Sequence, residues 1–219
     1  MKNNLKDVTL IIYETRPENF TNSINALNKC CESTSFAEVK FISDISPENL
    51  PKEYLWEFAP HIFDINDYNL YMFKEMYRHI NTSHALCIHS HSWILNPLMW
   101  DDKWLEYDYI GAPWVIKNDA YISWGSKEHV RVGNGGFSLR SKRLLELPKI
   151  HDLPLLQEQG WYNEDGNLVS YYRELMLALG IKYAPVEVAA KFAYENPVPE
   201  NNYGDMKTFG FHRNRRINE

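Results

Sequence analysis

Residues Val130–Lys142 read VRVGNGGFSLRSK, and the rest of the chain is organised around this stretch. Three glycines fall within four residues, at Gly133, Gly135 and Gly136, and the strand-like run 137–140 follows them. Because glycine has no Cβ, it adopts backbone conformations that other residues avoid and lets a ligand approach the backbone closely. The pattern therefore predicts either a tight turn that lines a pocket and leads into a short strand, or an ordinary glycine-rich hairpin turn.

Upstream of this stretch, short apolar runs alternate with helical patterns. Val8–Tyr13 (VTLIIY) is a continuous, largely β-branched run that predicts a buried parallel strand. Glu38–Ile42 and Ala85–Ile88 predict two further strands, and apolar residues recur at helical spacing in residues 19–31 and 64–80 between them. This alternation is typical of an α/β sandwich with a mostly parallel central sheet.

Downstream, residues 141–147 and 163–179 predict two more helices, and Gly180 would end the second of them. The run Lys182–Ala190 (KYAPVEVAA) is predicted to form a strand. No linker rich in Pro, Ser or Gly divides the chain, so residues 1–219 are predicted to form a single domain.

The composition limits the classes of protein to which the chain can belong. Its 219 residues, 44% of them hydrophobic, are enough for a sizeable core. A formal net charge of −6 and a pI near 5.8 argue against a general nucleic-acid-binding protein. Positive charge clusters at Arg213, Arg215 and Arg216, which fits a solvated tail or, alternatively, contact with phosphate or an anionic membrane surface.

The cysteines indicate the compartment. The chain has three cysteines, Cys30, Cys31 and Cys87, and the first two are adjacent. An odd number with an adjacent pair is a poor disulfide framework and fits a reducing environment. No apolar run is long enough for a signal-peptide core or a membrane span. We therefore expect a soluble cytoplasmic protein without a transmembrane segment.

Two histidines directly follow the predicted strand 85–88. Alternation along an extended chain would point His89 and His91 to the same face. Two imidazoles on one face can bind a metal ion, and His212, in the sequence FGFH, could supply a third ligand. The alternative is a pair of polar residues in a loop.

Two acidic residues, Glu164 and Asp165, begin the predicted helix 163–179. They either complement the positive end of the helix dipole or provide a general base for proton transfer. We expect the dipole to lower the carboxylate pKa, which keeps the group ionised but weakens it as a base. Thr15 and Arg16 follow the first strand at its carboxyl end, where α/β sheets bind nucleotides.

Five segments in this order resemble a family of small GT-A glycosyltransferase-like proteins long catalogued only as a domain of unknown function. They are DYIGAPW (108–114), VGNGGFSLRS (132–141), NED (163–165), APVEVAAKFAYE (184–195) and FGFH (209–212). The resemblance extends from Val8 to His212. It implies a single-domain GT-A-like, Rossmann-like fold and transfer of a sugar from a nucleotide-sugar donor.

The resemblance also implies which residues would bind the donor. Thr15 and Arg16 fall where the first strand of the family meets the nucleotide. The segment 135–137, including Gly135 and Gly136, falls where the family forms the floor of the sugar pocket. The residues predicted to bind the nucleotide-sugar are therefore Thr15, Arg16, Asn134, Gly135, Gly136 and Trp114. Trp114 and Trp124 are further interpreted as rings that stack on the sugar or the acceptor.

The segment His89-Ser90-His91 falls where a GT-A enzyme places its metal-binding Asp-x-Asp motif, and related sequences resemble Gln-x-Asp there. His212 resembles the late histidine that completes the metal site. The pair Glu164-Asp165 resembles the Glu-Asp pair that supplies the base in inverting GT-A enzymes.

Neither position 89 nor position 91 is an aspartate, and this departure from the Asp-x-Asp motif affects which metal the site could bind. Mg²⁺ and Mn²⁺ sites are normally built on carboxylate and phosphate oxygens, whereas imidazole suits Zn²⁺, Ni²⁺ or Co²⁺ better. Three explanations stay open. His91 replaces the aspartate as a ligand to a divalent metal such as Mn²⁺ or Mg²⁺, or the enzyme neutralises the diphosphate with Arg and His alone, or activity has been lost.

We therefore predict a glycosyltransferase that acts by direct displacement on a nucleotide-sugar. The acceptor would be a hydroxyl of a saccharide or glycolipid, in surface-polysaccharide or glycoconjugate synthesis. Asp165 is the predicted base, and Glu164 is the second choice. The main alternative is a catalytically inactive nucleotide- or glycan-binding module. A metal-dependent hydrolase ranks last, because no H-E-x-x-H pattern is present.

Overall fold

The computed structural model describes residues 3–116, 122–157, 163–202 and 207–212. Arg213, Arg215 and Arg216, for which the sequence suggests either a solvated tail or an anion contact, lie outside these residues. Helices and strands alternate along the first half of the chain, and the second half is richer in short helical segments and loops.

Six strands form the central sheet: β1 (Asn3–Tyr13), β2 (Thr34–Ser43), β3 (Leu55–Phe58), β4 (His84–Ile88), β5 (Tyr109–Ile110) and β6 (Phe137–Ser141). They lie side by side in the order β3-β2-β1-β4-β6-β5. The pairs β3-β2, β2-β1 and β1-β4 are parallel, and β6 runs antiparallel to both β4 and β5. The prediction of an α/β fold with a mostly parallel central sheet is confirmed.

The helices are α1 (Pro17–Ser33), α2 (Ile65–Lys74), α3 (Lys142–Ile150), α4 (Glu164–Gly166), α5 (Arg173–Ala178) and α6 (Val186–Phe192). A π-helical segment, Asn167–Tyr171, joins α4 to α5. Two short strands, β7 (Ala193–Tyr194) and β8 (Gly210–Phe211), pair in parallel as a second small sheet.

Strand β1 is largely apolar and fully buried over residues 8–13, because both faces of the sheet are covered there. Leu10 and Ile12 belong to the core on the α1 side, together with Ile24 and Leu27 of that helix. Ile11 and Tyr13 lie on the opposite face of the sheet and pack with residues of α2 and α3. Apolar side chains on both faces make the run continuous rather than alternating, as is usual for central parallel strands.

The predicted strand Lys182–Ala190 is wrong. Only Tyr183 forms a β-bridge there, with Tyr109, and helix α6 begins three residues later. Pro185 precedes the helix with φ −68°, a value that its ring imposes and that suits a helix start. The core-facing residues Ala189 and Phe192 then pack at helical spacing, so tertiary burial outweighs the β-branched character of the valines.

The predicted helix 163–179 exists but is divided into α4, the π-helical segment and α5. Gly180 ends it with φ 82°, a left-handed conformation that favours glycine. Cys30, Cys31 and Cys87 are free thiols. Among the helices in the described ranges, none combines the length and apolar character that a membrane span requires.

Candidate functional site

A cavity of about 290 Å³ opens at the carboxyl ends of β1 and β4. Glu14 and Arg16, which follow β1, line it together with His89 and His91, which follow β4. Tyr68 of α2 lines another side. In open α/β sheets, ligands bind in the crevice outside the carboxyl ends of the strands. The cavity therefore occupies the position in which this class of sheet places its ligands.

The two residues predicted to meet a nucleotide lie differently at this cavity. The Arg16 side chain lines it and is 60% exposed, and its Nε and Nη2 donate to the Glu14 carboxylate at 2.8 and 3.0 Å. Thr15 is fully buried, and its Oγ1 accepts a hydrogen bond from the Ile62 N–H at 3.0 Å. Arg16 can therefore reach an anionic ligand, whereas Thr15 anchors the loop that forms one wall.

His212 meets His89 and His91, which line the cavity, although it lies 121 residues beyond His91 in the chain. His89, His91 and His212 each offer one ligand atom, and these atoms all lie within 4.8 Å of one another. Nε2 of His91 is 3.0 Å from Nε2 of His212. The Tyr68 hydroxyl lies 2.8 Å from Nε2 of His89 and orients that ring. The three side chains that the sequence suggests for a shared site are thus brought together.

This set of donors suits a divalent transition metal. Metal–nitrogen bonds of ~2.0–2.1 Å allow nitrogens on one ion to lie up to ~4.2 Å apart, so a small side-chain movement brings all three within reach. Imidazole suits Zn²⁺, Co²⁺ or Ni²⁺, whereas Mg²⁺ prefers oxygen ligands. His89 and His91 are partly exposed, which leaves room for oxygen ligands from a bound substrate.

The glycine turn separates the histidines from a buried acidic pair. A Cβ on Gly136 would lie 2.2 Å from Nε2 of His212, and a Cβ on Gly135 would lie 2.5 Å from Oε1 of Glu164. The turn residue with positive φ is Asn134, at 72°. Close approach of functional side chains, rather than backbone freedom, therefore explains these two glycines. An antiparallel bridge between Pro113 and Val132 places the glycines within one arm of the long β5–β6 connection, not at its tip, so the interpretation as an ordinary hairpin turn is wrong.

Glu164 forms an ion pair inside the protein. Its Oε1 accepts from Nη2 of Arg140 at 2.7 Å, and the Arg140 and Glu164 side chains are 0% and 4% exposed. Arg140 also donates from Nε to Oγ of Ser138, while its Nη1 has no hydrogen-bond partner within the described part of the chain. Glu164 thus neutralises a buried cation, which makes it less available than its neighbour for proton transfer.

Asp165 lies beside this pair and is 8% exposed. Burial raises the pKa of Asp165 to about 7, and the negative charge of Glu164 adds to the rise, while Arg140 and the N–H of Gly166 act in the opposite direction. The expectation that a helix dipole lowers the pKa is therefore wrong for this residue, because α4 is only three residues long and desolvation dominates. A carboxylate with a pKa near neutrality is well matched to general-base catalysis.

The two tryptophans suggested for stacking lie away from the cavity lining. Trp114 is 5% exposed, and a Cβ on Gly133 would lie 1.9 Å from its ring, so this ring packs under the glycine turn. Trp124 is 46% exposed and packs against Tyr171 with ring centroids 5.7 Å apart. Stacking on a sugar stays a prediction for Trp124, whereas a buried Trp114 supports the turn from behind.

The sequence reasoning missed three residues of this site: Tyr68, Arg140 and Glu195. Arg140 is the one charged residue of β6, whose other residues are apolar or serine, and this is a signal of a buried ion pair. Glu195 ends the segment APVEVAAKFAYE, and its Oε1 lies 3.3 Å from Nδ1 of His212. Nothing in the sequence around Tyr68 distinguishes it from Tyr71, the other tyrosine of its helix.

No curated protein sequence matches this chain. Among solved structures, it is similar to 4-diphosphocytidyl-2C-methyl-D-erythritol synthase from Anaerococcus prevotii, with 10% identity and a TM-score of 0.46 over 77% of this chain and 81% of that chain. It is also similar to the mannosyltransferase PcManGT from Pyrobaculum calidifontis in complex with GDP-Man and Mn²⁺, with 9% identity and a TM-score of 0.43 over 80% of this chain and 53% of that chain. Both similarities are distant.

A family model matches residues 54–212. The matched range includes the three histidines, the glycine turn, the buried acidic pair and Glu195, whereas Arg16 lies before it. Because this range is most of the chain, the protein belongs to the family described as "Protein of unknown function (DUF5672)".

Proposed function

We propose that the protein is a nucleotide-sugar-dependent glycosyltransferase of GT-A-like fold that transfers a sugar to a hydroxyl acceptor. The observation that carries this proposal is the meeting of two chemical groups around one glycine turn at the carboxyl end of the sheet. Three histidines lie on one side of the turn, and the buried pair Glu164 and Asp165 lies on the other.

The nucleotide-sugar would bind in the cavity at the carboxyl ends of β1 and β4. Arg16 lies at this cavity with an exposed guanidinium group, which can pair with a phosphate oxygen of the donor. The Glu14 carboxylate accepts two hydrogen bonds from the guanidinium, so the group is partly ordered before the ligand arrives. Partial ordering reduces the entropy that binding would otherwise cost.

The residues that would hold a divalent metal are His89, His91 and His212. When bound, such an ion supplies positive charge that stabilises the diphosphate leaving group. Their imidazole nitrogens favour Zn²⁺, Co²⁺ or Ni²⁺, tolerate Mn²⁺ and suit Mg²⁺ least.

Asp165 would act as the general base. Its carboxylate takes the proton of the acceptor hydroxyl, the acceptor oxygen forms a bond to the anomeric carbon, and the bond from that carbon to the diphosphate oxygen breaks. This single displacement inverts the configuration at the anomeric carbon. The resemblance to GT-A proteins suggests a saccharide or glycolipid acceptor, in cytoplasmic synthesis of surface polysaccharide or glycoconjugate.

The direct test is to incubate the protein with UDP-, GDP- and CDP-sugars and saccharide acceptors, with Mn²⁺, Zn²⁺, Co²⁺, Mg²⁺ or EDTA. Released nucleoside diphosphate and glycosylated acceptor are both measured. We expect acceptor-dependent release that Asp165→Asn abolishes and the exposed control Asp102→Asn preserves. Release that is equal with and without acceptor would indicate a hydrolase instead.

The second possibility, a binding module without turnover, is favoured by the absence of aspartate at positions 89 and 91. A ligand that binds only the folded state raises its stability, so thermal shifts with nucleotide-sugars separate the two functions. Stabilisation by a nucleotide-sugar without any product would support the binding module. If the full panel of nucleotide-sugars gives neither stabilisation nor product, both proposed functions are contradicted.

A further inference from the structure

Two side chains compete for one nitrogen of His212. Nδ2 of Asn134 lies 3.0 Å from Nδ1 of His212, and Oε1 of Glu195 lies 3.3 Å from the same nitrogen. In a neutral imidazole, each nitrogen carries either a hydrogen or a lone pair. Nδ1 can therefore accept from Asn134 or donate to Glu195, but it cannot do both.

The backbone fixes which end of the Asn134 amide faces His212. Oδ1 of Asn134 accepts a hydrogen bond from the N–H of Gly136 at 2.8 Å, so the NH₂ group is turned toward the histidine. Its donation requires a lone pair on Nδ1 and leaves the hydrogen on Nε2. That hydrogen points to Nε2 of His91, 3.0 Å away. In this tautomer, Nε2 of His212 has no lone pair for a metal.

Glu195 offers the opposite tautomer. Strands β7 and β8 pair Ala193 with Gly210 and Tyr194 with Phe211, so the next residues, Glu195 and His212, leave the small sheet side by side. A carboxylate that accepts a hydrogen from Nδ1 leaves the lone pair on Nε2. Histidine ligands to metals typically donate their other N–H to a carboxylate or carbonyl, which fixes the tautomer and ring orientation.

We propose that Glu195 is a positioning residue that turns His212 into a metal ligand, and that Asn134 holds the tautomer of the metal-free protein. The inference rests on the metal site of the proposed function. Metal binding exchanges the Asn134 hydrogen bond for the Glu195 hydrogen bond and separates the two facing Nε2 atoms. Asn134 is suited to this position because asparagine tolerates the left-handed backbone, with φ 72°, that the turn requires.

The test measures metal affinity by calorimetry with Zn²⁺ and by the visible absorption of Co²⁺. Loss of a carboxylate behind a histidine ligand typically costs ~10–100-fold in metal affinity, and we expect this loss for Glu195→Ala. Glu195→Gln keeps a neutral acceptor oxygen and should lose less. Glu187→Ala, on the exposed side of α6, is the matched control and should bind like the wild type.

A rescue variant distinguishes positioning from a general loss of structure. Asn134→Asp tolerates the same backbone conformation and replaces the competing donor with an acceptor for the hydrogen of Nδ1. The double variant Glu195→Ala with Asn134→Asp should therefore regain most of the lost affinity. If it folds but regains none, or if Glu195→Ala binds metal as tightly as the wild type, the inference is overturned.

Nitrogen-15 NMR of the histidine rings gives a readout that no merely structural role would produce. We expect the hydrogen of His212 on Nε2 in the metal-free protein and on Nδ1 after Zn²⁺ is added. A hydrogen on Nδ1 in both states would overturn the role of Asn134, and a wild type that binds no metal would overturn the inference as a whole. If the variants show the expected pattern of metal affinities but the protein transfers no sugar, only the proposed function is contradicted.

Discussion

The substitution Asp165→Asn is expected to inactivate the protein and to stabilise it at neutral pH. Asparagine keeps the shape of the side chain and the oxygen that accepts from the Gly166 N–H at 2.7 Å. It removes the buried negative charge and the repulsion from Glu164. Since burial and that repulsion are what raise the pKa of Asp165, their removal relieves the folded state of an unfavourable charge.

The sign and size of the effect follow from the two protonation states. The pKa of Asp165 rises from 3.8 to about 7 on folding, so the folded state binds more protons than the unfolded state between these values. Stability that this carboxyl contributes when protonated is complete below about pH 4 and is lost as the pH rises through about 7. At about 1.4 kcal/mol per pKa unit, the loss is on the order of 4 kcal/mol.

Urea denaturation of the wild type and of Asp165→Asn, at pH 5 and pH 8, measures this loss directly. The difference between the two proteins isolates Asp165 from all other titrating groups. We expect the variant to be more stable at pH 8 by a few kcal/mol, and by less at pH 5. The exposed control Asp102→Asn should change stability by less than about 0.5 kcal/mol at either pH.

Activity provides the second half of the test. Loss of a general base typically lowers the rate by ~10²–10⁴-fold, and we expect this loss for Asp165→Asn. The wild-type kcat/KM should rise with pH and level off above about pH 7, where Asp165 is ionised. A variant that is less stable than the wild type at pH 8 would refute the reasoning about the buried charge. A variant that retains full turnover would refute the assignment of the base.

Two further predictions concern the surroundings of this carboxylate. Glu164→Gln should lower the free energy of unfolding by about 3–5 kcal/mol, because it leaves a buried arginine without its counter-charge. The partly exposed pair of Glu146 with Lys142 is the control, and Glu146→Gln should cost less than about 0.5 kcal/mol in the same urea titration; similar losses for both would contradict this account. Gly136→Ala should weaken Zn²⁺ binding at least ~10-fold in calorimetry, because its Cβ would lie 2.2 Å from Nε2 of His212; unchanged affinity would remove His212 from the metal site.

Local patterns were sufficient for the central part of the fold. The apolar run Val8–Tyr13 predicts a central parallel strand because both of its faces are buried. Strand β3, Leu55–Phe58, has mostly exposed side chains at the edge of the sheet, so no burial pattern marks it. The valines of Lys182–Ala190 suggest a strand, but Pro185 and the packing of α6 produce a helix. Patterns fail where neighbours, rather than the segment itself, decide what is buried.

For the site, residue type and order along the chain already indicated the chemistry. Imidazoles at positions 89, 91 and 212 and carboxylates at 164 and 165 are present whatever the fold, and so are the glycines between them. Distance and environment are properties of the packed chain alone. Folding brings His91 and His212 to 3.0 Å across 121 positions of sequence, and burial reverses the expected direction of the Asp165 pKa shift. A local helix dipole can be read from a few residues, but desolvation depends on every element that covers the carboxylate, which is why only the tertiary structure could decide between them.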